Sequence, residues 1–188
     1  MIKRLTAAFL CITLIFGLSG CQNNYQDKAE IAKLMASYTQ ALISFDKAAL
    51  TDLTAWNDDS YYQEFYRAMD EQEQIKTYGE KEGRFVFAYY KQIASTIGAE
   101  YDPDKIKVKG DTATLENVRF TMVFWADICK GEYEDAESMI KRINEEETRE
   151  TYIDTIAFRK INGSWKVVRA DGLKDVKKFV KQTPKLKT

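Results

Sequence analysis

The sequence predicts an α+β fold, with amphipathic helices first and a bent antiparallel sheet after them. Apolar residues recur every three or four positions up to Gly98, and at every second position after Pro103. The Asn162-Gly163 pair, the strongest short signal for a β-hairpin, falls between two such alternating segments. Helices followed by strands are the order typical of α+β domains.

The first helix has the strongest periodic signal in the chain. Asp27, followed three residues later by Glu30, predicts an N-cap with a capping-box partner. A second, shorter helix is predicted from Asp46. The apolar stripe of the first helix consists of Ile31, Leu34, Met35, Tyr38, Leu42 and Phe45.

Two further helices are predicted before the strands. The third begins near Tyr61 and ends at Gly79, and the fourth spans roughly 82–97. Their aromatic content exceeds what a single buried stripe needs, so we expect some rings to be partly exposed or to line a groove. The rings are Tyr61, Tyr62, Phe65, Tyr66, Phe85, Phe87, Tyr89 and Tyr90.

The first strands contain a predicted irregularity. A short strand before the Gly110-Asp111 turn is followed by a longer one over 113–128. The apolar positions of the longer strand change from odd to even numbers between Leu115 and Val118. One extra residue near Glu116-Asn117 would produce this change, which predicts a β-bulge that bends the strand.

The last third of the chain combines an acidic helix, a hairpin and a basic tail. Residues 132–147 predict an acidic helix, and Asp171 opens a predicted short C-terminal helix. Six lysines against one aspartate make 174–188 basic, so this tail could touch an anionic envelope surface or simply be solvated. The hairpin should turn one set of side chains to the core, namely Ile156, Phe158, Trp165 and Val167.

Composition limits the chemistry. The chain has 188 residues, 45% hydrophobic, with a net charge of −1, which suits one ordinary domain without a general footprint for nucleic acid. It has no histidine, which excludes Ser-His-Asp and Cys-His nucleophile pairs and histidine-ligated metal sites. The sequence predicts no cofactor and no metal site.

The N-terminus carries an export signal. A positive start at Lys3-Arg4 precedes an uncharged apolar run over 5–18, too short to span a bilayer. Leu18-Ser19-Gly20-Cys21 resembles the bacterial lipobox, which implies cleavage before Cys21, a diacylated sulfur and an acylated (palmitate-type) N-terminus. An ordinary cleaved signal with an incidental cysteine and an uncleaved N-terminal helix are the alternatives.

The lipobox resemblance implies three segments and an address. Residues 1–20 are the signal peptide, 21–26 the lipidated cysteine with a short tether, and 27–188 a single domain with a basic tail. The protein would lie on the extracytoplasmic face of the cell membrane. In a Gram-negative cell, Gln22 after the cysteine implies the outer membrane. Cys129 would then be the one unmodified cysteine, most simply a small core residue.

The domain resembles the NTF2-like (cystatin-like) domains of small bacterial lipoproteins. The resemblance covers 27–170 and rests on the first helix, the turn and strand over Gly110–Leu115, and the hairpin over Phe158–Val167. It implies a bent sheet that wraps around the first helix as a cone with an apolar pocket. The extra helices between 58 and 98 and the acidic insertion at 132–147 depart from the simplest members.

The same resemblance suggests a speculative pocket. Some NTF2-like enzymes, such as ketosteroid isomerase, use an Asp base with a Tyr and a neutral carboxyl as hydrogen-bond donors. Asp127 is predicted on the strand face shared with Arg119 and Trp125, and Tyr38 lies on the first helix. The alternative is a solvated aspartate and a core tyrosine. No catalytic motif is present, so no catalytic residue is assigned.

The acidic cluster Glu145-Glu146-Glu147 lacks the spacing of a calcium loop, which favours a solvated helix end.

The function that the sequence favours is a lipid-anchored binding or interaction module at the cell envelope. Its partners would be the membrane, through Cys21, and a small ligand or an envelope protein. The alternative is a small-molecule enzyme that uses Asp/Tyr acid–base chemistry; the sequence leaves open whether the protein is an enzyme.

Overall fold

A computed structural model describes residues 24–56, 60–170 and 182–187. Within these ranges, helices and an antiparallel sheet form one hydrophobic core, which confirms the predicted α+β class. The helices are α1 (24–43), α2 (Lys47–Leu53), α3 (Ser60–Ala68), α4 (Glu71–Tyr78), α5 (Glu80–Ser95) and α6 (Ala136–Glu145). The strands are β1 (Gly98–Glu100), β2 (Lys107–Lys109), β3 (Thr112–Val123), β4 (Glu132–Tyr133), β5 (Arg149–Ile161), β6 (Ser164–Ala170) and β7 (Lys185–Leu186).

The main sheet has the order β1-β3-β5-β6, with β2 paired to the beginning of β3, and every pairing in it is antiparallel. The sheet has two opposite ends. The hairpin end comprises 109–112 and 160–164, where the β2–β3 and β5–β6 turns lie side by side. The distal end comprises 121–124 and 148–151, where β3 ends and β5 begins.

The predicted bulge in β3 is confirmed. The pairing of β3 with β5 shifts register between Leu115 and Val118, and Asn117 has a φ of 58°. Leu115 before the bulge and Met122 after it are both buried, although one is odd and the other even. The extra residue therefore keeps the apolar face of β3 on the core along its whole length.

The predicted hairpin is also confirmed. Phe158 pairs with Val167 and Lys160 with Trp165, as a two-residue turn requires. Asn162 and Gly163 have φ values of 51° and 82°, the left-handed conformation that this turn demands at both positions. The four side chains predicted to face the core are all buried.

The start of α1 differs from the prediction. Residues 24–26 are already helical, so α1 begins before Asp27 and Asp27 is not its N-cap. The Asp27 carboxylate instead accepts hydrogen bonds from Lys160 Nζ at 2.8 Å and Trp165 Nε1 at 2.9 Å. The predicted stripe of α1 is buried throughout.

The single helix predicted between Tyr61 and Gly79 is in fact two. The Asp70 side chain caps α4 by accepting from the N–H groups of Gln72 and Glu73, which separates α4 from α3. Gly79 does end α4. Five of the aromatic rings in this region are buried, while Phe65 and Phe87 are half-buried.

The long strand predicted to reach residue 128 ends earlier, at Val123. Phe124 still donates its N–H to Thr148, but the chain then turns and forms a 3-10 turn over Ile128–Lys130. The acidic segment forms β4 and α6. The helix predicted from Asp171 lies outside the described residues, as does most of the basic tail. No helix within the described ranges is both long and apolar enough to cross a bilayer.

Candidate functional site

The four residues predicted to line a pocket differ widely in their exposure. Tyr38 is fully buried and Trp125 is buried, whereas Arg119 is exposed. Asp127 lies beyond the end of β3; its side chain is 67% exposed and faces Lys130 at 3.6 Å. Among these four residues, Tyr38 is fully buried and feels the charge of a buried carboxylate.

Asp154 on β5 supplies that carboxylate. It shares the inner face of the sheet with Ile156 and Phe158 and is only 3% exposed. One of its carboxylate oxygens accepts from the N–H of Thr155 at 2.7 Å. Its partner on β3 is Val118, directly after the bulge.

Burial raises the pKa of Tyr38 well above its ordinary value, and the negative charge of Asp154 raises it further. Tyr38 is consequently a neutral phenol at any physiological pH, which can donate a hydrogen bond but cannot act as a phenolate.

An aromatic cluster surrounds Tyr38. The ring of Trp56 meets that of Tyr38 edge-on at 5.9 Å and stacks on Tyr62 at 4.0 Å. Trp56 is held at the edge of β6, because Ala55 donates its N–H to the carbonyl of Val167 at 2.9 Å. We call Tyr38, Trp56, Tyr62 and Asp154 the inner cluster.

Two hydrogen-bond donors of the inner cluster are buried without a hydrogen-bond partner among the described residues: the Tyr38 hydroxyl and Trp56 Nε1. By contrast, the Tyr62 hydroxyl accepts from the N–H of Ala170 at 3.1 Å. A buried donor that loses its water without gaining a partner costs about 1–3 kcal/mol. The Tyr38 hydroxyl and Trp56 Nε1 are therefore two donors whose hydrogen-bonding capacity the described residues leave unused.

The polar face of β5 continues from Asp154 toward the distal end. Tyr152 and Glu150 follow at alternate positions and are half-buried, and the Tyr152 hydroxyl donates to the Glu150 carboxylate. Acid and phenol groups therefore follow one strand from the core to the partly exposed distal end.

Asp154 was missed at the sequence level, although a signal was present. The alternation that assigns Ile156 and Phe158 to the core continues backward to Asp154. A charged residue in phase with a buried face is unusual and marks a candidate functional position.

The other sequence-level candidates show no comparable environment. Glu146 lies at the C-terminal end of α6. Its carboxylate accepts hydrogen bonds from the Thr148 N–H at 3.0 Å and from Arg142 at 2.6 Å, and these bonds lower its pKa to about 2. In the part of the chain that the structure describes, no three acidic, cysteine or histidine residues are grouped as a metal site. Cys129 is buried, and burial raises the pKa of its thiol, which disfavours a reactive role.

A second concave feature lies at the hairpin end. A polar pocket of about 540 Å³ separates the start of α1 from the β2–β3 turn. Its lining comprises Asn24, Gln26, Asp27, Val108, Gly110, Asp111 and Lys160.

Comparison with known proteins yields matches at the level of structure. No family model matches the chain, and a search of curated proteins finds no similar sequence. One similar structure is a provisionally named dehydratase of the NTF2-like family from Streptomyces avermitilis, with 16% identity and a TM-score of 0.36. The match covers 76% of this chain and 91% of that one.

Two further structures are similar at 14% identity. A provisionally named NTF2-like transpeptidase from Campylobacter jejuni has a TM-score of 0.30, with 78% of this chain and 98% of that one covered. A provisionally named lipoprotein of Bacillus subtilis, YcdA, has a TM-score of 0.37, and the match covers 85% of this chain but 58% of YcdA. These superpositions are loose, so the α+β class rests on the strand order and register of this chain itself.

Proposed function

We propose that the protein is a lipid-anchored, extracytoplasmic binding module whose ligand is held by the inner cluster. The observation that carries this proposal is the pair of buried donors, Tyr38 hydroxyl and Trp56 Nε1, that find no partner among the described residues. They suit a ligand with a carbonyl, carboxylate or ether oxygen beside a flat apolar part that packs on the rings. The ligand is a small molecule or a side chain of an envelope protein.

The anchor is supported by the lipobox-like sequence ending at Cys21. Each methylene buried in the bilayer contributes about 0.8 kcal/mol, and two or more acyl chains give stable attachment where one is marginal. Changing Cys21→Ser should therefore release the protein from membranes or leave an uncleaved precursor.

Native mass spectrometry of protein extracted from membranes in mild detergent tests both the lipid anchor and the ligand site. We expect a mass for the polypeptide from Cys21 onward plus its acyl chains, and a second species with a co-purifying small molecule. Tyr38→Phe should lose the second species, whereas Tyr78→Phe, at a 40% exposed position, should keep it. Equal retention by both variants would exclude the inner cluster as the ligand site.

The second candidate is an enzyme, favoured by the burial of both an acid, Asp154, and a phenol, Tyr38, within the core. In such an enzyme Asp154 would accept a proton from the substrate, and Tyr38 would donate a hydrogen bond to the oxygen that becomes negative. This assigns to Asp154 the role that the sequence suggested for Asp127. Asp154→Asn should then abolish turnover of the co-purifying molecule while leaving it bound.

A further inference from the structure

The structure indicates how the domain is oriented relative to the membrane. This inference rests on the proposed lipid anchor at Cys21. Only Gln22 and Asn23 separate Cys21 from residue 24, which already belongs to α1. With about 3.8 Å between successive Cα atoms, the lipidated residue lies within about 11 Å of the helix start. Wherever the start of α1 lies, the membrane surface must be close to it.

The start of α1 is fixed to the hairpin end of the sheet. Asp27 accepts from Lys160 and Trp165, and the Lys160 ammonium lies 5.6 Å from the centre of the Trp165 ring. One residue later, Lys28 Nζ donates to the carbonyl of Asp104 at 3.4 Å. These contacts come from different elements, so the first turn of the helix cannot swing independently of the sheet.

We propose that the hairpin end rests against the head-group layer of the bilayer and that the distal end points away from it. β5 has 13 residues; at roughly 3.3 Å per residue, it separates the two ends by up to about 40 Å. The partly exposed end of the polar face, at Glu150 and Tyr152, then opens to the aqueous envelope. A ligand of the inner cluster would arrive from that side and not from the lipid.

The chemistry of the hairpin end fits a head-group layer. At this end Lys160 pairs with Asp27 at 2.8 Å, and just beside it Lys107 pairs with Glu116 at 2.8 Å and Lys105 with Asp102 at 3.9 Å. Such a mixed surface has little attraction for anionic lipid in particular. The 540 Å³ pocket beside the helix start is polar and suits zwitterionic head groups. The orientation therefore depends on the short tether and should form on phosphatidylcholine alone.

Depth-dependent fluorescence quenching tests the orientation. The acylated full-length protein carries Cys129→Ala, so that an introduced cysteine is the one free thiol, and is reconstituted into phosphatidylcholine vesicles. A fluorophore is attached at Asp111→Cys, in the β2–β3 turn, or at Glu147→Cys, next to the distal end; both positions are exposed. Lipids with a nitroxide on the head group should quench strongly at 111 and not at 147. A water-soluble quencher should act more strongly at 147.

Equal lipid quenching at the two positions, or the reverse order, would overturn the orientation. Intact mass spectrometry of the same sample separates this from failure of the anchor. A protein without acyl chains overturns the anchor and the orientation together, whereas an acylated protein with equal quenching overturns the orientation alone. Lys109→Cys at the hairpin end and Arg149→Cys at the distal end form a second pair of exposed basic positions, should Asp111→Cys or Glu147→Cys fail to fold.

Discussion

At the scale of single residues, a stability measurement can show whether the Tyr38 hydroxyl binds a ligand or stabilises the fold. Because it is buried without a partner among the described residues, its removal should cost the ligand-free protein nothing. We expect Tyr38→Phe to change the free energy of unfolding by between zero and about 1 kcal/mol in the stabilising direction. Urea denaturation of ligand-free protein measures this; a loss above about 1 kcal/mol would mean that the hydroxyl is satisfied within the fold.

Asp27 gives a second prediction, about pH. Its hydrogen bond with Lys160 holds the pKa of the carboxyl below its ordinary value. A carboxyl whose pKa is lowered by folding stabilises the protein above the unfolded pKa of about 3.9, and this contribution is lost as the pH falls through the folded-state value.

Asp27→Asn should therefore lower the midpoint of thermal unfolding by a few degrees at pH 7, with the difference vanishing in strong acid. Scanning calorimetry of both proteins across this pH range is the measurement. A difference that stays constant with pH would show that the charge of Asp27 is irrelevant. Asp104→Asn, at an exposed carboxyl, is the control and should have little effect at either pH.

The candidate site could be predicted from the sequence only in part, for reasons visible at single residues. Tyr38 was found because a helical stripe assigns it to the core. The sequence predicts Asp127 on a strand face because the apolar alternation continues past Val123, but the chain turns there, which no local pattern signals. Tyr38 and Asp154 are both buried in the core, but they come from a helix and a strand more than a hundred residues apart, and periodicity cannot show such a tertiary relation.

At the scale of elements, the bulge in β3 depends on the left-handed backbone of Asn117. Asparagine and glycine tolerate this conformation, whereas other residues lose about 1–2 kcal/mol in it. We expect Asn117→Val to destabilise the protein by about that amount and Asn117→Gly to change stability by less than about 1 kcal/mol. Equilibrium denaturation in urea compares the two; an equal loss in both would indicate that the asparagine side chain matters and the backbone conformation does not.

The contact between α4 and α5 depends on Gly83. A Cβ at this position would lie 2.5 Å from Ile75 Cα and 2.6 Å from the carbonyl oxygen of Gln74, both backbone atoms that cannot move alone. Gly83→Ala should therefore destabilise the protein by about 1–3 kcal/mol, although alanine favours helix. The exposed neighbouring substitution Glu82→Ala should stay within about 0.5 kcal/mol. Thermal unfolding of both variants checks this; a neutral Gly83→Ala would contradict the close packing of the two helices.

Element type was easier to predict than element boundaries. The N-cap of α2, the stop at Gly79 and the hairpin turn follow from local chemistry and were found. The predicted start of α1 is wrong because the Asp27 carboxylate can either cap a helix or bind side chains of the sheet. In the structure it accepts hydrogen bonds from side chains of β5 and β6 and does not cap the helix. The division of α3 from α4 was missed because Asp70 lies inside a continuous helical pattern, where a cap is indistinguishable from a surface residue.

At the scale of the whole molecule, the proposed orientation depends on the short separation between Cys21 and the start of α1. An insertion of ten glycine and serine residues between Gln22 and Asn23 would have an average span of about 17 Å. Membrane attachment should persist, because the acyl chains are unchanged. The difference in lipid quenching between labels at 111 and 147 should shrink markedly. An undiminished difference would mean that the surface of the hairpin end holds the orientation without the tether.

The bulge in β3 also restricts how this chain can change length. Deleting Asn117 would only straighten the strand, because Leu115 and Val118 would then be two positions apart and both would still face the core. Deleting a residue after the bulge, such as Arg119, would instead turn Phe120 and Met122 outward and bring Thr121 inward. By contrast, the exposed loop over 102–105 can gain or lose residues at little cost. Descendants of this sequence should therefore vary in length at this loop while conserving the residue count of β3 between the bulge and the distal end.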